Sequence, residues 1–263
     1  MHELSAAQQK YLHIQKRHRR VVCVSRILIL FGFLFVWEFT ANTGIIDSFI
    51  FSCPSRIVLC FRELMVDGII FHHIGITLYE TIVSFLLVIL ISILMAVLLW
   101  TFRYLSEILD PYMVVLNSLP KSALAPLLIV WLGANERTII VSGVSVAIFG
   151  SVLNLYAGFQ NTDPDKLKLI ETLGGGKKEK FQKIILPSSL PLFLSVMKVN
   201  IGLCLVGVII GEFIGARQGL GYLIIYSSQT FKLTWVLMSI TLLCIIALIL
   251  YGLLGLIEKY VTK

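Results

Sequence analysis

From residue 81 to residue 102 the chain carries no charged side chain, and apolar runs of the same kind recur along almost its whole length. A helix crossing about 30 Å of hydrocarbon needs roughly 20 mostly apolar residues. Six segments meet that length, at 21–41, 74–102, 108–132, 138–159, 188–210 and 234–257. The runs are continuous and do not alternate with a period of two, which selects helices over a barrel. Pro111, Pro120 and Pro126 all fall in the third run and make it the least regular of the six. The expected fold class is all-α, an integral membrane bundle of about six transmembrane helices. Composition agrees, with 57% hydrophobic and 14% charged residues among 263; a soluble domain so composed would lack a polar surface.

Basic residues orient the bundle. Lys10, Lys16, Arg17, Arg19, Arg20 and Arg26 precede or open the first run, and Lys166, Lys168, Lys177, Lys178, Lys180 and Lys183 lie between the fourth and fifth. Six crossings put both groups on one side, together with Arg103, Lys259 and Lys263. The other side holds Arg56, Arg62, Arg137, Arg217 and Lys232, while Lys121 and Lys198 stay inside runs. The positive-inside rule makes the richer side cytoplasmic. Both termini and the 161–187 segment are therefore expected in the cytoplasm. Topology and anionic lipid head groups account for the net charge of +7, so the charge gives no argument for nucleic-acid binding. The first run has full spanning length and no short apolar core with a cleavage site, so it is expected to remain in the mature chain.

Signatures of chemistry are sparse. Cys23, Cys204 and Cys244 lie in apolar runs, where cysteine acts as a small hydrophobe; Cys53 and Cys60 share an external segment and are able to pair, without forming a metal-type pattern. His2, His13, His18, His72 and His73 fall in no HExxH arrangement; His72 and His73 are expected at an interface before the second run. Gly174-Gly175-Gly176-Lys177-Lys178 is followed by Glu179 and preceded by no strand, so it is not a phosphate loop. Bound cofactors are expected to be none, and energy must come from an ion gradient or from another subunit.

The polar island at 161–187 discriminates between those sources. Asp163 followed by Pro164 suits a helix start, and Leu167, Ile170 and Leu173 then share one helical face. The glycines end that helix. A second amphipathic stretch presents Phe181 and Ile184 before Leu186-Pro187 opens the fifth run. The predicted shape is a short helix, a break and a second helix at the membrane surface.

This island resembles the cytoplasmic loop of permease subunits of bacterial ATP-binding cassette importers, whose pattern is EAA, three residues, Gly, nine residues, Ile, one residue, Leu-Pro. Gly174, Ile184, Leu186 and Pro187 fall in register. The likeness extends through Leu119-Pro120, the 127–133 stretch, Asp163-Pro164, Leu190-Pro191, and Gly211-Glu212 followed by Gly219-Leu220-Gly221-Tyr222. It covers about residues 57–260 and is nearest to the branch importing sulfonates, taurine, nitrate or thiamine precursors. Lys168 stands where the family has its Glu, with Leu169 and Ile170 at its two alanines. Glu171, three residues along, is a candidate to supply the carboxylate on a neighbouring part of the helix surface.

The resemblance implies a chain that makes no covalent bond: a homodimeric permease with two ATPase subunits that carry the ATP and magnesium, an external solute-binding protein, and a place in the bacterial inner membrane. It divides the chain into a basic tail (1–20), a first span with an external segment (21–56) and a transporter domain (57–260) whose island couples to the ATPase through Asp163, Pro164, Lys168, Glu171, Gly174, Ile184, Leu186 and Pro187. The external segment, with an amphipathic helix at 57–66, is the side that receives the binding protein.

Polar groups inside the runs mark a candidate translocation path, because unpaired charge in hydrocarbon costs several kcal/mol. They are Asn117, Pro120, Lys121, Lys198, Asn200 and Glu212, with Glu38 and Glu80 as weaker candidates at helix ends. The rival mechanism is a gradient-driven secondary carrier, which calls for inverted repeats and several intramembrane acids; the sequence presents no repeat and few buried acids.

Overall fold

The computed structural model describes residues 6–261, so His2 and Lys263 lie outside the described residues. Those residues form helices and no strand. The first helix, α1 (Ala6–Asn42), is continuous through the basic stretch into the first apolar run. Two short helices follow, α2 (Ser48–Phe51) and α3 (Pro54–Val66), before the long α4 (Ile69–Thr101). Then come α5 (Arg103–Ser118), α6 (Lys121–Leu132), α7 (Glu136–Gln160), α8 (Pro164–Thr172), α9 (Lys177–Lys180), α10 (Leu186–Gly215), α11 (Leu220–Gln229) and α12 (Leu233–Val261). Among the described residues five helices are long and apolar enough to cross a membrane: Tyr11–Asn42, Ile69–Thr101, Glu136–Gln160, Lys177–Gly215 and Leu233–Val261.

The third predicted span is where structure and expectation part. In place of one helix over 108–132, α5 and α6 meet at a 95° bend, and they count as a sixth span only if the bent pair is taken as one. Pro120 explains the break. It has no N–H to offer, and it forces the preceding Leu119 into extended backbone at φ −62°, ψ 138°. Pro111 and Pro126 sit inside helices without breaking them.

The core is α7 clasped between α4 and α10. Hydrocarbon gives apolar faces no drive to associate, so membrane helices join through close packing of small residues and interhelical hydrogen bonds. Both occur here. A Cβ at Gly207 would lie 2.8 Å from Gly143 Cα and 2.8 Å from Ser142 O, so α7 and α10 touch backbone to backbone. Ser142 Oγ donates to Gly207 O at 2.8 Å, Asn200 Nδ2 to Ser151 Oγ at 2.8 Å, and Ser84 Oγ to Ile140 O at 3.1 Å.

Outside this core the chain is loosely attached. Side chains of α1 such as Phe31 and Phe35 are about two-thirds exposed, and α1 is tied mainly near its C-terminal end. There Glu38 accepts from Ser55 N (3.0 Å) and Ser55 Oγ (2.8 Å). The carboxylate thereby caps the first turn of α3, a place that favours negative charge. The amphipathic stretch at 57–66 packs on the bundle: Ile57, Cys60 and Leu64 are buried in a cluster with Met238 and Leu243 of α12.

Cys53 and Cys60 are both free and buried, and Cys60 Sγ lies 3.7 Å from Met238 Sδ. Burial pushes the Cys60 thiol from 9.0 up to about 11, and the thiolate is the reactive form. Two pH units correspond to about a 100-fold smaller thiolate fraction at pH 8. Maleimide labelling of Cys60, read by mass spectrometry, is expected to be at least that much slower in the native chain than after unfolding in detergent.

Candidate functional site

The island takes its shape from three local devices. Asp163 caps α8, accepting from Asp165 N at 2.9 Å, with Pro164 in the first turn. At the other end Gly174 adopts φ +80°, and the N–H groups of Gly174 and Gly175 bond the carbonyls of Glu171 (3.0 Å) and Ile170 (2.8 Å). This is a left-handed helix stop that suits glycine. The third device corrects the predicted second surface helix. The chain passes from α9 through a π-helical turn (Phe181–Ile185) directly into α10, giving one continuous rod, Lys177–Gly215. Pro187 would clash with the carbonyl four residues back in a regular helix; widening by one residue, with Leu186 N–H bonding Phe181 O, relieves this without a break.

An aromatic seat holds the island against the bundle. Phe181 lies 5.5 Å from the Trp100 ring and meets Phe159 edge-on at 5.6 Å, while Ile185 is fully buried beneath it. Leu167 packs against the same cluster. Of the stripe predicted along α8, Leu167 and Ile170 are half-buried, but Leu173 is 75% exposed and its neighbour Leu169 58% exposed. Glu171 Oε2 pairs with Lys180 Nζ at 3.0 Å, joining α8 to α9. Lys168 is exposed. Ile184 is half-buried in the π turn, and Leu186 is 49% exposed at the start of α10.

The candidate path residues do not come together in one place. Asn117, Pro120 and Lys121 gather at the α5–α6 bend. Lys121 Nζ donates to Leu116 O and, at 3.1 Å, to Asn117 O, so it caps the carbonyls that the bend sets free, and it stands 5.5 Å from the Phe149 ring. Asn117 Oδ1 faces Gly150 of α7, where a Cβ would approach to 3.2 Å. Lys198 pairs with Glu258 of α12 and lies 5.7 Å from the Tyr251 ring. Asn200 is 2% exposed and spent on Ser151.

Removing the Glu258 carboxylate strands the partly buried Lys198 ammonium, whereas removing both charges does not. Glu258→Gln is expected to lower the unfolding midpoint of the purified protein, and Lys198→Met with Glu258→Gln to recover most of it. The test is a double-mutant cycle read by thermal unfolding.

Glu212 is the hub of a second polar constellation, at the end of the bundle remote from the island. Its Oε1 accepts from Thr77 Oγ1 (2.7 Å) and its Oε2 from Gly221 N (2.5 Å). Thr77 Oγ1 in turn accepts from Leu220 N at 2.8 Å, and His73 Nδ1 from Gly219 N at 3.0 Å. The open N-terminus of α11 is thus capped by side chains of α10 and α4. The carboxylate meets the donor end of a helix, where negative charge is favoured by up to about 2 kcal/mol in partly buried geometries. The two glycines make room, because a Cβ on either Gly219 or Gly221 would collide with the Glu212 carboxyl group.

Sequence reasoning picked out Glu212 and the Gly219 to Tyr222 run and put His73 at an interface, but it missed Thr77 and the bond that Gly219 N makes to His73. A threonine and a histidine one turn apart in an apolar helix were the only sign. Among the described residues no cluster of three or more metal-ligating side chains occurs.

Comparison with known proteins places this geometry. Residues 88–262 match the family described as binding-protein-dependent transport system inner membrane component. The chain is 29% identical over 226 residues to a probable ABC transporter permease of Haemophilus influenzae, covering 86% of this chain and 91% of that protein. It is 25% identical to a putative aliphatic sulfonates transport permease of Bacillus subtilis (87% and 83% covered). It is 28% identical to a formylaminopyrimidine transport permease of Halalkalibacterium halodurans (71% and 74% covered). In fold it is similar to a methionine ABC transporter in an inward-facing conformation, with a TM-score of 0.67 at 18% identity over 74% of this chain and 97% of that one.

Proposed function

The chain belongs to the family of binding-protein-dependent transport system inner membrane components, and on that footing we propose that two copies of it form the membrane pathway of an ATP-driven importer. It is a multi-pass transport subunit of the ABC permease class. In our reading residues 57–260 form the transporter domain, and the termini and the island at 161–187 face the cytoplasm, where two ATPase subunits bind ATP and magnesium. A solute-binding protein docks on the opposite, outer side. The solute is of the sulfonate, taurine, nitrate or thiamine-precursor class; support comes from relatives named for aliphatic sulfonates and formylaminopyrimidine.

One observation carries the coupling role: the island is held rigidly from below and left apolar on top. Phe181 and Ile185 fix it on the core, while Leu169 and Leu173 stand exposed. Because α9 runs without a break into α10, a push on the island travels along a rod of 39 residues, about 58 Å at 1.5 Å per residue. The rod ends at Glu212 and its contact with α11. Two ATPases closing around ATP would therefore move both ends of the bundle.

Within this reading the α5–α6 bend at Asn117, Pro120 and Lys121 lines the path. Lys198, Asn200 and Glu212 serve it by holding α10 against its neighbours. Affinity purification of the tagged chain is expected to bring down a stoichiometric ATPase, and membrane vesicles carrying the complex with the binding protein to take up solute only when ATP is supplied. Uptake driven by an ion gradient without nucleotide would overturn the proposal.

A further inference from the structure

The outward face of α8 carries a cation as well as its two leucines. At about 100° per residue, Lys168 and Leu169 each lie roughly 130° around the helix from the middle of the half-buried Leu167–Ile170 face. They therefore flank the direction that points away from the core on which Leu167 rests. Lys168 is exposed and enters none of the ion pairs or hydrogen bonds of the described residues.

The acids of the island are engaged in folding it. Asp163 caps α8, and Asp165 stands in its first turn, where negative charge is favoured. Glu171 is held by Lys180 at 3.0 Å, and Glu179 Oε2 accepts from Gly176 N at 2.8 Å. Glu171 is thus not free to compensate for Lys168 at the place where the importer pattern has Glu. With six lysines against these four acids in 161–187, a partner that covers the island meets positive charge. A groove that seats Leu169 and Leu173 also covers the lysine beside them, and a cation taken out of water is tolerated only against an opposite charge.

We infer that the ATPase groove receiving α8 presents a carboxylate to Lys168, beside an apolar pocket for Leu169 and Leu173, so that Lys168 selects an ATPase that is acidic at this point. The inference rests on the coupling role proposed above and adds what the partner must offer.

The test uses the full-length permease in phosphatidylcholine nanodiscs, with and without phosphatidylglycerol, and the purified ATPase that co-purifies with the wild-type chain. Binding is read by biolayer interferometry. Lys168→Glu is expected to weaken it at least 10-fold in both lipids, since like charges then face each other, Lys168→Gln to weaken it less, and Lys168→Arg to stay near wild type. Melting curves should not move, because nothing in the chain leans on this side chain. A carbodiimide, which joins an amine to a touching carboxylate as an amide, is expected to link Lys168 of the wild-type complex to an acidic residue of the ATPase, mapped by mass spectrometry. Changing that residue to lysine should restore binding to Lys168→Glu.

Wild-type affinity in Lys168→Glu, or a complex that cross-links elsewhere but not at Lys168, would overturn the inference and leave the coupling role standing. So would a loss confined to nanodiscs with phosphatidylglycerol, since the partner of the lysine would then be a lipid phosphate. A wild-type chain that captures no ATPase would overturn the coupling role and this inference with it.

Discussion

Gly221→Ala is expected to lower the thermal midpoint of the purified permease by several degrees and to deplete the assembled complex in membranes. The added Cβ would lie 2.7 Å from Glu212 Oε2, 2.9 Å from Glu212 Cβ and 3.1 Å from Ile209 O. Two of these neighbours cannot yield: the carboxyl group is pinned by Thr77, and the carbonyl belongs to α10. Overpacking of this kind costs about 1–3 kcal/mol, and displacing the carboxylate adds the loss of a charge-assisted bond to the Gly221 N–H. At roughly 2–4 °C per kcal/mol for a chain of this size, the shift is well within reach of a fluorescence-based melt.

Gly219→Ala adds strain to the same collision, because its φ of +100° is one that a side chain rarely adopts. Glu212→Gln keeps the shape and one acceptor and should fall between these variants and wild type. Gly252→Ala in α12, where a Cβ meets nothing within 4 Å, should be neutral or slightly stabilising, since alanine is the better helix former. If Gly221→Ala melts like Gly252→Ala, the trans-capping of α11 by Glu212 is not what holds the outer end together.

The contrast between these glycines shows what the sequence displays and what it hides. Hydrophobic run length exposes every long helix, because a span must satisfy its backbone internally and does so within one continuous segment. Run length says nothing of a break inside the run, so the α5–α6 bend was visible only as a surplus of prolines. Of the three, Pro120 breaks the chain and Pro111 does not, since a helix tolerates a proline when its other residues can re-form their bonds around it.

The island shows the reverse error. Pro187 reads as a helix start, yet a π turn absorbs it and fuses α9 to α10. Long-range polar partners were the least legible. Glu38 with Ser55, Glu212 with Thr77 and Lys198 with Glu258 are separated in sequence by 17, 135 and 60 positions, and an isolated charge in an apolar run looks the same whether it lines a path or caps a neighbouring helix.

Leu169→Ser combined with Leu173→Ser is expected to abolish capture of the ATPase while leaving the permease folded. The two side chains are 58% and 75% exposed, so nothing inside the chain depends on them. Fully burying one leucine contributes about 1.5–3 kcal/mol, and hot spots of an interface cluster where such groups fill pockets on the partner. Losing both would cost roughly 3–6 kcal/mol, or about two to four powers of ten in affinity at 1.4 kcal/mol per tenfold. Co-purification of the ATPase should fall below detection, and ATP-driven uptake with it, while the melting curve of the permease alone stays put.

Phe181→Ala makes the complementary case. It leaves the exposed leucines intact but removes the ring that Trp100 of α4 and Phe159 of α7 enclose, so the ATPase should still bind an island that is no longer seated on α4 and α7. ATP hydrolysis should then continue without matching uptake. Retained uptake in the double leucine variant would show that contacts other than the apolar top of α8, with exposed Lys168 nearest at hand, carry the docking.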